Sequence, residues 1–172
     1  MKLKLNFVNK DPKITEDNEI ILLTQKVIKS KEIKQLAKSV FNNKLFSEGN
    51  FLAKDYNNKS YVFVNCTKSK VSLDFEKLGS KLFVFLKENK KENSFINVEN
   101  NSFTNVQLEK FLHGAQLKSY NFNLYKTDKK KNVKINLSVV GNNIKQKNLL
   151  RNKLNALLAG VFLTRDLVSE PG

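Results

Sequence analysis

Residues 20–23, IILL, form an apolar run in which no polar side chain alternates with the apolar ones. A strand that shows one face to solvent alternates apolar and polar residues, whereas a strand covered on both faces has a continuous apolar run. The run therefore predicts a buried strand with helices above and below its sheet. This constraint favours a layered α/β domain over an open antiparallel sheet.

The other elements follow from apolar spacing. Leu3, Leu5 and Phe7 share one face at period two and predict a first strand. Thr104 and Gln107 have the spacing of a capping box, in which each side chain bonds the other residue's backbone N–H, and they predict a helix over about 105–119. Two further helices are predicted after Ser30 and around residues 73–86. The predicted order is strand, strand, helix, hairpin, helix, strand, helix, strand, helix, with a mixed, mostly buried sheet and helices on both faces.

Three strand segments complete the sheet. Residues 50–54 and 61–65, separated by the turn-rich segment 55–60, predict a hairpin whose second arm is the more buried. Residues 94–98 predict a short strand. In the segment from Val133 to Val139, apolar residues alternate with polar ones, so we expect this strand to show one face to solvent and to lie near an edge of the sheet.

The longest predicted helix begins near Asn143 and must end before Pro171, because proline cannot continue a helix. Beyond its core stripe it carries Leu163, Leu167 and Val168, more apolar surface than a one-sided terminal helix needs. We therefore expect residues 1–142 to form an accessory α/β domain. Residues 143–172 would form a linker helix that leads to a further domain packed on it.

Composition limits the compartment and the chemistry. Cys66 is the single cysteine, so no disulfide can form within the chain, which favours a reducing compartment or indifference to the redox state of the surroundings. The first residues alternate like a strand and do not resemble a secretory signal. No apolar stretch approaches the roughly 20 residues needed to cross a bilayer. These features predict a cytoplasmic protein without a membrane partner.

Two residues are candidates for a reactive group. Cys66 follows a buried strand, where a nucleophile could stand, but a lone cysteine is more often a small buried apolar residue. His113, the only histidine, lies off the apolar stripe of its helix and is more often a boundary side chain than a general base. No spacing of carboxylates predicts a metal site, and the six glycines form none of the usual phosphate-binding loops.

Basic charge is the remaining feature: 31 lysines and arginines against 16 acidic residues give a net charge of +15. Clustered lysines with interleaved aromatic residues can bind phosphates and bases without reading sequence. Such a cluster is present at Lys126, Lys129, Lys130 and Lys131. A non-specific nucleic-acid-binding module is therefore an alternative, and a solvated loop is the simpler interpretation. Sequence-specific DNA recognition is disfavoured because it usually depends on arginine, of which the chain has two.

Two segments carry a family resemblance. Residues 112–130, LHGAQLKSYNFNLYKTDKK, resemble a helix-end signature of the cytosol (leucyl) aminopeptidases, in which a glycine precedes a Ser/Ala-Tyr pair and a basic turn. Residues 160–172, GVFLTRDLVSEPG, are similar to that family's A-R-D-L-V-N-E-P-G-N segment, with Ser169 where asparagine is common. In that family the second segment closes a linker helix and leads into the peptidase domain.

The resemblance implies a non-catalytic amino-terminal domain of a homohexameric enzyme that releases amino-terminal residues from peptides. It implies two divalent metal ions, Mn or Zn, with a bridging water as nucleophile in the parent enzyme. The family's metal-binding residues lie in its carboxyl-terminal domain, so no catalytic, cofactor or metal residue is expected in this segment. The implied partners are the parent's own catalytic domain, further copies of the subunit and peptide substrates.

Overall fold

The computed structural model describes residues 2–8, 18–23, 31–41, 46, 51–67, 69, 71–99, 101, 103–120, 134–141 and 144–169. Six strands and four long helices alternate in this part of the chain. The strands are β1 (Lys2–Val8), β2 (Asn18–Leu23), β3 (Phe51–Tyr56), β4 (Lys59–Asn65), β5 (Asn93–Asn97) and β6 (Lys134–Val140). The helices are α1 (Lys31–Phe41), α2 (Ser72–Glu88), α3 (Asn105–Ser119) and α4 (Ile144–Ser169).

The strands form one mixed sheet in the order β1-β6-β5-β2-β4-β3. Five strands run parallel, and β3 alone is antiparallel to its neighbour. The strand β6 pairs with β1 on one side and β5 on the other, which places it next to the edge. Its Ile135, Leu137 and Val139 are buried, whereas Asn136 and Ser138 on its other face are partly exposed, as the alternation predicts.

The strand β2 divides its apolar run between two cores. Ile20 and Leu22 belong to a large core on one face of the sheet, and Ile21 and Leu23 belong to a smaller core on the other. The large core is covered by α2 and α3 together with Leu154 of α4, and the small core is covered by α1. The predicted α/β class, with helices on both faces and a long final helix, is confirmed.

The hairpin departs from its predicted bounds. The strands continue to Tyr56 and resume at Lys59, so the turn contains only Asn57 and Asn58. Both asparagines have positive φ, 48° and 58°. Asparagine tolerates this left-handed region, and two such residues in succession form the tight turn that suits strand twist. The longer turn predicted over 55–60 is wrong because the two asparagines close the hairpin by themselves.

The capping box of α3 and the apolar spacing of α1, two sequence patterns that predicted helices, are both confirmed. The capping box at α3 is present: Gln107 N donates to Thr104 Oγ1 at 3.3 Å, and Thr104 N donates to Gln107 Oε1 at 2.9 Å. In α1 the residues Ile33, Leu36, Ala37 and Val40 are buried in the small core, as their spacing predicts. The predicted cap of that helix, Ser30, lies outside the described residues.

Helix α4 packs against α3 and β1 through one stripe, in which Leu154 and Leu158 are buried. This contact shows that the helix lies against the domain along part of its length. The division between residues 142 and 143 stays a prediction. Among the described residues, no helix combines the length and the apolarity that a membrane span requires.

Helices α2 and α3 touch backbone to backbone. A Cβ added to Gly79 in α2 would stand 1.8 Å from the carbonyl oxygen of Phe111, and one added to Gly114 in α3 would stand 1.9 Å from that of Glu76. Ser80 Oγ adds a hydrogen bond to the Gly114 oxygen at 3.3 Å. Any side chain at either glycine would push the helices apart, and both helices cover the large core.

We expect Gly79→Ala to destabilise the 172-residue chain by about 1–3 kcal/mol or more, because overpacking at a backbone contact cannot be relieved by a side-chain rotation. Urea denaturation followed by circular dichroism measures the change. Gly160→Ala in α4 is the matched control, since a Cβ at Gly160 meets no atom within 4 Å. There the better helix propensity of alanine should stabilise the chain by up to about 1 kcal/mol. Equal effects of the two substitutions would contradict the close contact.

Candidate interface at the C-terminal helix

The carboxyl end of the parallel sheet is where open α/β folds most often bind ligands, at the point where neighbouring connections leave on opposite faces. Here that point lies between β2, which leads to α1, and β5, which leads to α3. The two strands pair only at Asn18 with Ser94 and at Glu19 with Phe95, and then separate.

The side chain of Asn101 fills the gap. Its Oδ1 accepts from Leu22 N at 2.8 Å, and its Nδ2 donates to the oxygen of Asn97 at 2.6 Å and to that of Ile20 at 3.5 Å. The asparagine thus replaces the backbone partners that the diverging strands lack, and it is 8% exposed. In the described part of the chain, this usual binding position is closed by a structural side chain.

Cys66 stands just after β4 at the same end of the sheet. Its backbone N–H donates to the oxygen of Leu23 at 2.8 Å, and its thiol lies 3.7 Å from the oxygen of Val64. Burial raises the pKa of the Cys66 thiol to about 12. The thiol is therefore protonated at neutral pH, which favours the structural interpretation over a nucleophile.

His113 lies at the boundary of the α2–α3 contact. Its Nδ1 is 3.4 Å from Glu76 Oε2, and its side chain is 15% exposed. Lys110 Nζ approaches the same carboxylate at 4.0 Å. The histidine is thus placed beside a carboxylate where the two helices meet. Sequence reasoning placed His113 at a boundary but did not identify Glu76 as its neighbour.

The basic cluster of Lys126, Lys129, Lys130 and Lys131 lies outside the described residues, so nucleic-acid binding stays a prediction. Of the other lysines, Lys91 donates to Asn18 Oδ1 at 2.6 Å and to Ser60 Oγ at 3.0 Å. It therefore ties β2 to the hairpin. No three His, Cys, Asp or Glu side chains come together as a metal-binding group within the described residues.

Tyr120, immediately after α3, holds the C-terminal half of α4. Its hydroxyl donates to Asp166 Oδ1 at 2.6 Å, and its ring lies 5.1 Å from that of Phe162. Arg165 places its guanidinium 5.3 Å from the centre of the Tyr120 ring and donates to the oxygen of Leu117 at 3.2 Å. We call Tyr120, Phe162, Arg165 and Asp166 the clasp.

The clasp combines three kinds of contact on one phenol ring: a hydrogen bond to a charged group, a cation–π contact and an aromatic pair. Partial desolvation, and then the hydrogen bond to Asp166, raises the pKa of Tyr120. The Tyr120 hydroxyl therefore keeps its proton above the pH at which an ordinary tyrosine ionises. With that proton it keeps its hydrogen bond to Asp166. Periodicity could not show this contact, because its two halves are 46 residues apart.

The face of α4 opposite Leu154 and Leu158 is exposed and carries several apolar residues, together with Lys153, whose Nζ lies 2.8 Å from Glu109 Oε1 of α3. Leu163 and Leu167 are 61% and 63% exposed, and Leu149, nearer the start of the helix, is 71% exposed. Ala156 and Gly160 lie on the same face and are also exposed. The excess apolar surface predicted for this helix is therefore present, at a position away from the domain core.

We expect Cys66 to react with iodoacetamide at pH 8 roughly a thousand-fold more slowly in the folded chain than in urea. Burial raises the pKa of the Cys66 thiol from its ordinary value of 9.0 to about 12 in the folded chain, which lowers the thiolate fraction at pH 8 by about that factor. Mass spectrometry of quenched samples measures both rates. Similar rates in the two conditions would show that the thiol is accessible and ionised.

We expect Tyr120→Phe to loosen the C-terminal half of α4, because the ring remains but the donor to Asp166 is lost. Hydrogen exchange of the segment 160–169 should become a few-fold faster, while β2 and β4 stay protected. Tyr56→Phe, on an exposed tyrosine of β3, is the control and should change neither region. Unchanged exchange in Tyr120→Phe would mean that the clasp does not hold the helix.

Comparison with known proteins gives one kind of match. No family model matches the chain, and no curated protein matches its sequence. Among solved structures, a tomato leucine aminopeptidase mutant is similar over 99% of this chain, with a TM-score of 0.70 and 18% sequence identity.

The match covers 39% of the tomato enzyme's chain, so this chain spans about two-fifths of the length of its structural neighbour. An identity of 18% shows a common fold. The resemblance that residues 112–130 and 160–172 carry is thereby confirmed at the level of the fold. The chain therefore has the fold of a part of a leucine aminopeptidase, and its extent is consistent with one domain of such an enzyme.

Proposed function

We propose that this chain is the non-catalytic amino-terminal domain of a leucyl (cytosol) aminopeptidase. The parent would release amino-terminal amino acids from peptides by two-metal-assisted hydrolysis. The fold likeness to a leucine aminopeptidase supports the relationship. The role of the domain within such an enzyme is argued from the contacts of α3 and α4.

The observation that carries the proposal is the contact between the two signature segments. Tyr120 comes from the first segment and Arg165 and Asp166 from the second, and the three side chains meet in the clasp. A chance similarity in two separate stretches would not require them to touch. Their contact indicates that both stretches serve one structural purpose, which is to hold the end of α4.

A held helix would act as a rigid spacer. At a rise of about 1.5 Å per residue, the 26 residues of α4 span about 39 Å. Leu154 and Leu158 fasten its middle to the domain, and the clasp fastens its C-terminal half. The direction in which the chain leaves the domain is thus determined, so a catalytic domain joined there would be placed at a defined angle. From that position the domain can cover part of the catalytic domain and limit access to its site.

The donor set of the described residues does not fit a two-metal centre. Such a centre needs several carboxylate or imidazole ligands around both ions. Cys66 offers a buried thiol with a pKa of about 12, and His113 stands beside the single carboxylate of Glu76. We therefore assign the two metal ions, Mn or Zn, and the bond-breaking step to the catalytic domain of the parent. A homohexameric, cytoplasmic parent completes the proposal.

The proposal is tested on the 172-residue chain, after cooperative unfolding has shown that it is folded. We expect no hydrolysis of leucine p-nitroanilide with added Mn²⁺, with intact tomato leucine aminopeptidase as the positive control. Hydrolysis that rises with chain concentration and is abolished by a chelator would contradict the non-catalytic role.

The coding sequence beyond Gly172 tests the parent enzyme separately. We expect it to continue into a segment rich in Lys, Asp and Glu that matches the metal-binding motif of the family. A stop codon after Gly172 would overturn the assignment to an aminopeptidase, whatever the assay shows.

A further inference from the structure

The outer edge of β3 has no partner strand in the described part of the chain. Strand β3 stands at the end of the sheet, and β4 pairs with it on one side only. That pairing is continuous from Phe51 to Tyr56, so no bulge interrupts the strand. A regular strand at the end of a sheet presents unpaired backbone N–H and C=O groups, and another extended chain can pair with them.

The side chains of β3 do not protect this edge. Natural edge strands are commonly protected by proline, by a bulge or by a lysine at the edge. β3 contains no proline, and its one lysine, Lys54, is turned toward α1, where its Nζ donates to Ser39 Oγ at 2.8 Å. Asp55 is the only other charged residue of the strand. The backbone of β3 is therefore open to a further strand.

A groove of about 520 Å³ lies between the start of β3 and α2, on the face of the sheet that carries the large core. Phe51 packs against that core, and its ring stacks on that of Phe85 with ring centres 5.4 Å apart. These two rings and Val84 form the apolar lining, and the polar lining consists of Ser80, Lys81, Glu88 and Lys118. The volume is in the range of ligand pockets, so the groove can hold a side chain and its neighbours.

A strand added to β3 would direct alternate side chains to the face on which the groove lies. Successive side chains of a strand point to opposite faces, and residues directly across a pair point to the same face. An apolar side chain opposite Phe51 would therefore contact Phe51, Val84 and Phe85. The open edge and the groove thus fit one ligand, an extended chain with an apolar residue at its centre.

The charge around the groove favours an acidic partner. Its lining has two lysines against one carboxylate, and Lys118 is exposed at its rim. The whole chain carries a net charge of +15. Complementary charge steers association and disfavours partners of like charge. Carboxylates on either side of the central apolar residue would meet this positive surface.

We propose that β3 binds an extended acidic peptide as an added strand, with an apolar side chain of the peptide in the groove. Main-chain hydrogen bonds to β3 supply the affinity, and the groove and its lysines supply the selectivity. The inference rests on the edge and the groove and holds whether or not the parent is a peptidase. One added strand buries a small area, so we expect a dissociation constant on the order of 10–100 μM.

The test is fluorescence anisotropy of a labelled peptide titrated with the folded 172-residue chain. The probe is Thr-Glu-Thr-Leu-Thr-Glu-Thr with blocked ends, in which the glutamates and the leucine share one face of a strand. Binding should weaken as the salt concentration rises, and a copy with lysine in place of glutamate should bind at least tenfold more weakly. Equal binding of the two peptides would overturn the choice of an acidic partner. No binding at about 1 mM protein would overturn the proposal and leave the edge to another occupant, such as a catalytic domain or a second copy.

Two N-methylated copies of the probe separate strand addition from other modes of binding. In a strand pair, alternate N–H groups point toward the neighbouring strand and the others point away from it. One copy carries methyl groups on the nitrogens of the glutamates and the leucine, and the other carries them on the threonine nitrogens. One copy should bind at least tenfold more weakly than the probe, and the other should keep its affinity. Loss of binding by both copies, or by neither, would contradict strand addition.

Lys118→Glu tests the groove without touching the core, because Lys118 is exposed. We expect it to weaken binding of the probe about fivefold, since a local attraction becomes a repulsion. Lys134→Glu is the matched control: it changes the net charge equally, but Lys134 is exposed at the start of β6, which β5, β2 and β4 separate from β3. It should change the affinity by less than about twofold. Equal weakening by the two substitutions would show that only net charge matters and would remove the groove from the proposal.

Discussion

The backbone contact of α2 with α3 at Gly79 and Gly114 determines where the other parts of the chain can lie. Because the two helices approach this closely, Phe111 and Leu112 reach the sheet and fill the large core. The same contact fixes the axis of α3, and Tyr120 follows directly from the end of that helix. Helix α4 then meets Tyr120 at a defined place. The orientation of the C-terminal helix is therefore a consequence of two glycines in the middle of the domain.

Patterns that depend on neighbours in sequence predicted the fold well. The continuous apolar run of β2 correctly predicted a strand that is covered on both faces. Side chains on either face of this strand enter an apolar core, so all of them are apolar. The capping box at α3 located the start of that helix, because Thr104 and Gln107 are each other's partners within one turn. The spacing of apolar residues indicates which faces of a single helix or strand are buried. The features above lie within one element each, so local sequence is enough to predict them.

Features that depend on two distant segments could not be predicted in this way. Asn101 joins two diverging strands, and one of its hydrogen-bond partners, Leu22, lies 79 residues away in the sequence. In an asparagine-rich chain, nothing in the sequence distinguishes this asparagine from the others. Gly79 and Gly114 are unremarkable in their own helices and acquire meaning only from each other. The Asn57–Asn58 turn was missed for a different reason: many polar residues surround it, so composition marked a loop but not its length.

Arg165 shows where this chain needs the shape of a basic side chain as well as its charge. All but two of its 31 basic residues are lysines, which supply positive charge without a fixed shape. A lysine could not replace Arg165 in both of its contacts. The planar guanidinium lies over the Tyr120 ring while it donates to the oxygen of Leu117. An ammonium group can make either contact but has no flat face to stack while an edge donates. In a chain that otherwise uses lysine, the arginine at this position therefore indicates a requirement of shape, and the requirement is met where the C-terminal helix is held.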